Sequence, residues 1–81
     1  MSQSQPTEVE IRIASDGGIT PLRFTWQSAW LQVMQIGRAW ADDEGDHWLV
    51  MPTSPNQVFE LLRTPEGRWR VIGAASRRSV V

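Results

Sequence analysis

The chain's one histidine, His47, closes an acidic run, Asp42-Asp43-Glu44-Gly45-Asp46. Imidazole and carboxylates are donors for a divalent cation, and a histidine with a partner group can act as a general base. Neither pattern is complete here. A calcium loop places oxygen ligands at alternating positions and ends on a distal bidentate glutamate. In this run Asp42, Asp43 and Glu44 are consecutive, and no glutamate follows at the required distance. A general base needs a nucleophile or a polarised water beside it, yet the neighbour in sequence is Trp48, and nothing marks a serine or carboxylate as a partner. A solvated acidic loop and a partly exposed, inert histidine are expected. Gly17-Gly18 and Gly67 are too sparse for a phosphate-cradling loop and read as turns. With no cysteine and no tyrosine, thiol catalysis, disulfides and most catalytic constellations are excluded. No catalytic residue, metal ligand, cofactor or small-molecule substrate is assigned, and the chain is expected not to be an enzyme.

The residues that remain suited to recognition are arginine and tryptophan. All 8 basic residues are arginine, whose planar fork binds phosphate and carboxylate and stacks on rings. They are offset by 9 acids, for a net charge of −1, so the basic imbalance of a nucleic-acid binder is absent. Five tryptophans stand in 81 residues. So short a chain buries only about 60% of its unfolded surface and needs large apolar side chains to be stable. Most of the tryptophans are therefore expected in the core, and one left outside would be an anchor for a partner or a base.

Local patterning describes the scaffold that positions these groups. Residues 1–7 are small and polar and read as a disordered lead-in. Glu8 to Ile13 alternates, with Val9, Ile11 and Ile13 on one face, as a half-buried strand does. Ser15-Asp16-Gly17-Gly18 signals a turn. Leu22 to Trp26 alternates again. If Gln27-Ser28 turns the chain, Trp26 faces Ala29, Phe24 faces Leu31 and Leu22 faces Val33. Arg23, Thr25, Trp30 and Gln32 then occupy the opposite face. A helix competes over 28–41, because Trp30, Val33, Met34, Gly37 and Ala41 fall at helical spacing and Ser28 suits an N-cap. Leu31 and Ile36 fall off that stripe and Gly37 would sit mid-helix, which favours the strand.

His47 to Met51 reads as a short buried strand, broken by Pro52 and Pro55. Gln57–Arg63 and Arg68–Gly73 flank Thr64-Pro65-Glu66-Gly67, which fits a type I turn ending in a G1 bulge. That loop pairs Arg63 with Trp69, Leu61 with Val71 and Phe59 with Gly73. It places Phe59, Leu61, Trp69 and Val71 in the core, and Glu60, Leu62, Arg68, Arg70 and Ile72 on the outer face. Residues 75–81, with Arg77-Arg78, read as a mobile tail. One domain over 8–74 is expected: an all-β antiparallel meander or half-barrel of five to six strands, or α+β should 28–41 be helical.

Phe24-x-Trp26, Val33-x-x-Ile36, Trp40 ahead of the acidic run, Trp48, Val58-Phe59-Glu60-Leu61 and Gly67-Arg68-Trp69-Arg70-Val71 together resemble a known pattern. It is that of small uncharacterised bacterial β domains of high-GC bacteria. Similar segments lie near the C-terminal end of the polymerase-like component of the mutagenic repair assembly. The resemblance covers roughly residues 20 to 74 and includes no catalytic residue. It implies a β-meander accessory module associated with DNA repair, and strand rather than helix over 29–36.

Functionally, Arg23, Trp30, Arg68 and Arg70 project from the non-core face in the strand reading, joined by the apolar Leu62 and Ile72. Such a face suits a protein partner or a second copy of the chain. The alternative is single-stranded nucleic acid, with guanidinium on phosphate and ring on base. The bland account is ordinary sheet chemistry, with Arg70 paired diagonally to Glu60. No segment of about 18 apolar residues and no secretory signal is found, so a cytoplasmic, membrane-free protein is expected.

Overall fold

The computed structural model describes residues 4–72. It contains β1 (Ser4–Pro6), β2 (Val9–Ile13), β3 (Ile19–Trp26), β4 (Ala29–Asp42), β5 (Gly45–Pro52), β6 (Phe59–Arg63) and β7 (Trp69–Ile72), with no helix. All pairings are antiparallel, in the order β1-β7-β6-β5-β4-β3-β2. The fold is all-β, a 7-stranded sheet rolled into a half-barrel. The strand beyond the expected five to six comes from the lead-in. Ser4 to Pro6, expected to be disordered, pairs with Arg70 to Ile72. Residues 1–3 and the expected mobile tail, 75–81, lie outside the described residues.

The two edge strands of the sheet, β1 and β2, are successive in the chain and separated only by Thr7 and Glu8. The sheet therefore curls until its edges meet at those two residues. The Thr7 amide donates to the Trp69 carbonyl on one side (3.2 Å), and the Thr25 amide donates to the Glu8 carbonyl on the other (3.0 Å). The Thr7 hydroxyl donates to the Thr25 carbonyl at 2.7 Å and lies 2.9 Å from the Thr25 hydroxyl.

Alternation, turn chemistry and bulges explain the strands. Gly67 takes φ +88°, and the Gly67 amide donates to the Thr64 carbonyl at 2.8 Å, closing the turn between β6 and β7. The expected register, Arg63 with Trp69 and Leu61 with Val71, is observed. The Gln27-Ser28 turn also forms, pairing Trp26 with Ala29 and Phe24 with Leu31. Both turn residues adopt positive φ, 50° and 69°, the conformation of a type I′ hairpin. The β3–β4 ladder ends at Arg23–Gln32, so Leu22 does not face Val33; Val33 pairs with Pro52 of β5 instead.

The helical alternative over 28–41 is not adopted. β4 is a single strand of 14 residues, whose register shifts between Val33 and Gln35 and again between Ile36 and Ala39. Each bulge inserts a residue into the alternation. Inward residues Val33 and Ile36 thus fall three apart, a spacing that imitates a helix. The acidic loop is also shorter than expected: Asp42 ends β4 and Gly45 and Asp46 begin β5, leaving only Asp43 and Glu44 in the turn. Gly45 holds φ +136° against the Arg63 carbonyl, where a Cβ would collide with backbone.

Phe24, Val50, Phe59, Leu61 and Val71 form the buried core, with Trp26, Trp48 and Trp69 packed against it. Phe59 sits edge-on between Phe24 (5.3 Å between centroids) and Trp26 (5.0 Å), while Trp48 and Trp69 lie 5.3 Å apart. Three tryptophans thus close the core, and Trp30 and Trp40 stand outside it. Leu62, expected on an open outer face, is only 8% exposed. It is flanked in register by His47 and Arg70, which narrows the solvent-facing part of that face.

Candidate functional site

Trp30, the second residue of the long strand β4, lies opposite Thr25, and Arg23 opposes Gln32 two residues along. Alternation places Arg23, Thr25, Trp30 and Gln32 together on the outer face, as their spacing predicts. The Arg23 guanidinium lies 4.5 Å from the centroid of the Trp30 ring. It is held there by Glu10 on β2, Nε donating to Oε1 at 2.9 Å and Nη2 to Oε2 at 3.4 Å. Trp30 remains 44% exposed, and Met34 along the same strand is 62% exposed. A large ring is thus fixed in orientation without being covered. Beside it opens a shallow groove of about 380 Å³, lined by Pro6, Thr7, Glu8, Thr25, Ser28 and Trp30. The groove lies at the seam where the sheet's edges meet.

The other expected site residues do not join this patch. Arg70 belongs to β7 and is committed to holding β1: Nε donates to the Ser4 hydroxyl at 2.8 Å and Nη2 to the Ser4 carbonyl at 3.0 Å. The diagonal Arg70–Glu60 pair expected from sheet chemistry is therefore not formed. Arg68 is exposed at the β6–β7 turn, where its amide donates to the Thr64 hydroxyl at 3.1 Å. Leu62 is buried, and Ile72 is half-buried between Ser4 and Glu60 in register. Arg23 and Trp30 are brought together; Arg68, Arg70, Leu62 and Ile72 lie around β6 and β7.

A second constellation, not anticipated from the sequence, surrounds His47. The ring is 3% exposed rather than partly open to solvent. Nδ1 lies 2.7 Å from Glu60 Oε2 and Nε2 lies 2.8 Å from Asp42 Oδ1. Only a protonated ring can donate to both carboxylates at once. Trp40, the cross-strand neighbour of His47, stacks on it at 4.8 Å with planes 2° apart, and Arg38 caps that tryptophan at 5.3 Å. Burial alone pushes the imidazole pKa down. The hydrogen bonds to Asp42 and Glu60, with their charges, outweigh it and raise the pKa above its usual value. The same contact, above all the hydrogen bond from His47, lowers the pKa of Asp42.

Donor atoms of Asp42, Glu44 and His47 fall within 4.8 Å of one another. Both His47 nitrogens are already engaged by carboxylates, and the exposed Glu44 reaches Nε2 only at 4.0 Å. In this geometry Asp42, His47 and Glu60 form a hydrogen-bonded clasp. Elsewhere an apolar cavity of about 130 Å³ opens beside Gly37, against Leu49, Val50, Met51 and Val58. Among the described residues, no helix is long and apolar enough to cross a membrane.

The signal for the His47 clasp was present in the spacing, though only once register is known. His47 pairs with Leu62, and Glu60 lies two residues before Leu62, diagonally across β5 and β6 on the same face. No protein family, curated protein or solved structure matches this chain. Its functional reading rests on the residues themselves.

Proposed function

We propose that this domain is a non-enzymatic interaction module that receives a segment of a partner protein on the outer sheet face, at the groove beside Trp30. The observation that supports it is a half-exposed tryptophan, locked by an arginine stack, forming one wall of an open groove. Tryptophan and arginine are the residues most enriched among interface anchors, and a ring already held in place loses little entropy on binding. Pro6 and Trp30 offer apolar walls and Glu8 an acidic one. The chemistry suits an apolar side chain flanked by a basic one.

Single-stranded nucleic acid fits this surface less well. Phosphate would need uncompensated arginines, but Arg23 is neutralised by Glu10 and Arg70 is spent on Ser4. Glu8 and Glu10 add negative charge beside the ring.

The test is retention of partners from nuclease-treated lysate of the source cells, on immobilised wild-type protein and on Trp30→Ala. Trp30 carries none of the core packing, so the substitution is expected to change stability by less than ~1 kcal/mol. Nuclease-resistant proteins held by the wild type and lost by Trp30→Ala are the expected outcome. Partners that vanish with nuclease, or that Trp30→Ala retains in full, would overturn the reading.

A further inference from the structure

The long strand β4 pairs with one neighbour along its first residues and with another along the rest. Ala29 to Gln32 pair with β3, whereas Val33 to Asp42 pair with β5. Among the described residues no strand lies along the other side of 33–42. Its two bulges lie before Ala39, so residues 39–42 form a regular edge; no proline interrupts it, and its only charged side chains are Arg38 and the terminal Asp42.

The hairpin shows which main-chain groups are open. The turn consists of Asp43 and Glu44, so Asp42 and Gly45 close it as a hydrogen-bonded pair. Alternate residues then face alternate ways: Asp42 and Trp40 turn their N–H and C=O toward β5, and Ala41 and Ala39 turn theirs outward. Both alanines are exposed. Two adjacent outward donor–acceptor sets, carrying only methyl groups, form an unobstructed edge.

We infer that this edge pairs with the same edge of a second copy of the chain, antiparallel about a twofold axis through Trp40. An antiparallel strand edge is self-complementary, as an isologous interface requires. With Trp40 opposite its own counterpart, Ala39 faces the partner's Ala41 and each pair exchanges two main-chain hydrogen bonds. One step further, Arg38 faces the partner's Asp42. The faces agree, because Arg38 packs on the ring of Trp40 and Asp42 bonds the histidine stacked on that ring. Arg38 has no ion pair among the described residues, and Asp42 engages its partners through Oδ1, leaving Oδ2 available. The charges match twice across the axis. This surface is separate from the Trp30 groove, so the module would present two such grooves per pair.

A ladder this short buries less than the ~1,200 Å² of a standard stable interface, so association is weak and concentration-dependent. Sedimentation equilibrium of the full chain from micromolar to millimolar concentration is expected to show a monomer–dimer equilibrium. Arg38→Asp, an exposed change opposed to Asp42, is expected to weaken it at least tenfold, while Trp30→Ala leaves it unaltered. Residue-resolved amide exchange supplies the second measurement. The amides of Ala39 and Ala41 should gain protection as concentration rises, while those of Trp40 and Asp42 are protected throughout. A monomer at every concentration would overturn the inference, as would a dimer in which Ala39 and Ala41 exchange independently of concentration. Loss of the dimer on Trp30→Ala would overturn it too, by assigning association to the groove face.

Discussion

His47 carries an electrostatic consequence that is open to titration. Its ring is buried between two carboxylates and stacked under Trp40, so the charged form is bonded at both nitrogens and the neutral form at one. The folded-state pKa lies above the ordinary 6.5. Stability from this group is therefore fully present below 6.5 and is lost as pH rises through the folded value. Asp42 works in the opposite sense. Its pKa is below 3.8, so its contribution is present above 3.8 and is lost as pH falls through the lowered value. NMR titration of the ring carbons should place the His47 midpoint above 6.5, and His47→Gln should destabilise by about 1–3 kcal/mol at pH 6 and by less at pH 9. A midpoint below 6.5 would mean that burial dominates and that one carboxylate contact is absent in solution. None of this was legible from residue types alone. Asp42 and Glu60 lie 5 and 13 positions away along the chain, and a diagonal neighbour exists only after two hairpin registers are set.

At the level of elements, legibility follows turn chemistry and strict alternation. The turn and register of the β6–β7 hairpin could be read, Arg63 with Trp69 and Leu61 with Val71, because proline and glycine stand where a type I turn with a G1 bulge needs them. The strands start later than expected, at Phe59 and Trp69, and Gly73 lies outside the described residues. The β3–β4 hairpin has the right cross-strand partners around an ill-suited turn. Glutamine and serine both occupy left-handed backbone, φ 50° and 69°, at a cost of roughly 1–2 kcal/mol for each residue bearing a side chain. What overrides that cost is packing on either side of the turn, with Phe24 buried opposite Leu31 and Trp26 edge-on to Phe59. Gln27→Asn with Ser28→Gly should relieve the strain without altering register. Thermal unfolding is expected to shift upward by about 4–8 °C per kcal/mol recovered in a domain of this size; an unchanged or lower midpoint would show that the turn is not strained in solution. β4 was ambiguous for a different reason. Its two bulges replace a period of two by steps of three, so a genuine strand carries part of a helix's signature.

For the whole molecule, the decisive feature is the one the sequence concealed most completely. Ser4-Gln5-Pro6 has no apolar alternation, because its role is carried by main-chain pairing to β7 and by Arg70 gripping Ser4, neither of which needs a patterned side chain. That pairing makes β1 and β2 a continuous segment bonded to both edges of the sheet. It also forms the Pro6–Thr7–Glu8 side of the groove beside Trp30. Closure and the candidate site are therefore one construction, and Thr7 is its fastener. Its hydroxyl bridges to the carbonyl and hydroxyl of Thr25 and also accepts from the Thr25 amide at 3.1 Å. Thr7→Val keeps the shape and removes these bonds, taking the donor from the part-buried Thr25 carbonyl while the Thr25 amide keeps the Glu8 carbonyl. The expected cost is about 1–3 kcal/mol in denaturant unfolding. Amide exchange should quicken selectively at Gln5, Thr7 and Thr25 while the protection of Leu61 and Val71 falls only with global stability. Uniform loss at every site would mean that the seam and the core unfold as one unit. Unchanged exchange at the seam would mean that main-chain pairing alone keeps the edges together, and that the threonines merely occupy the joint.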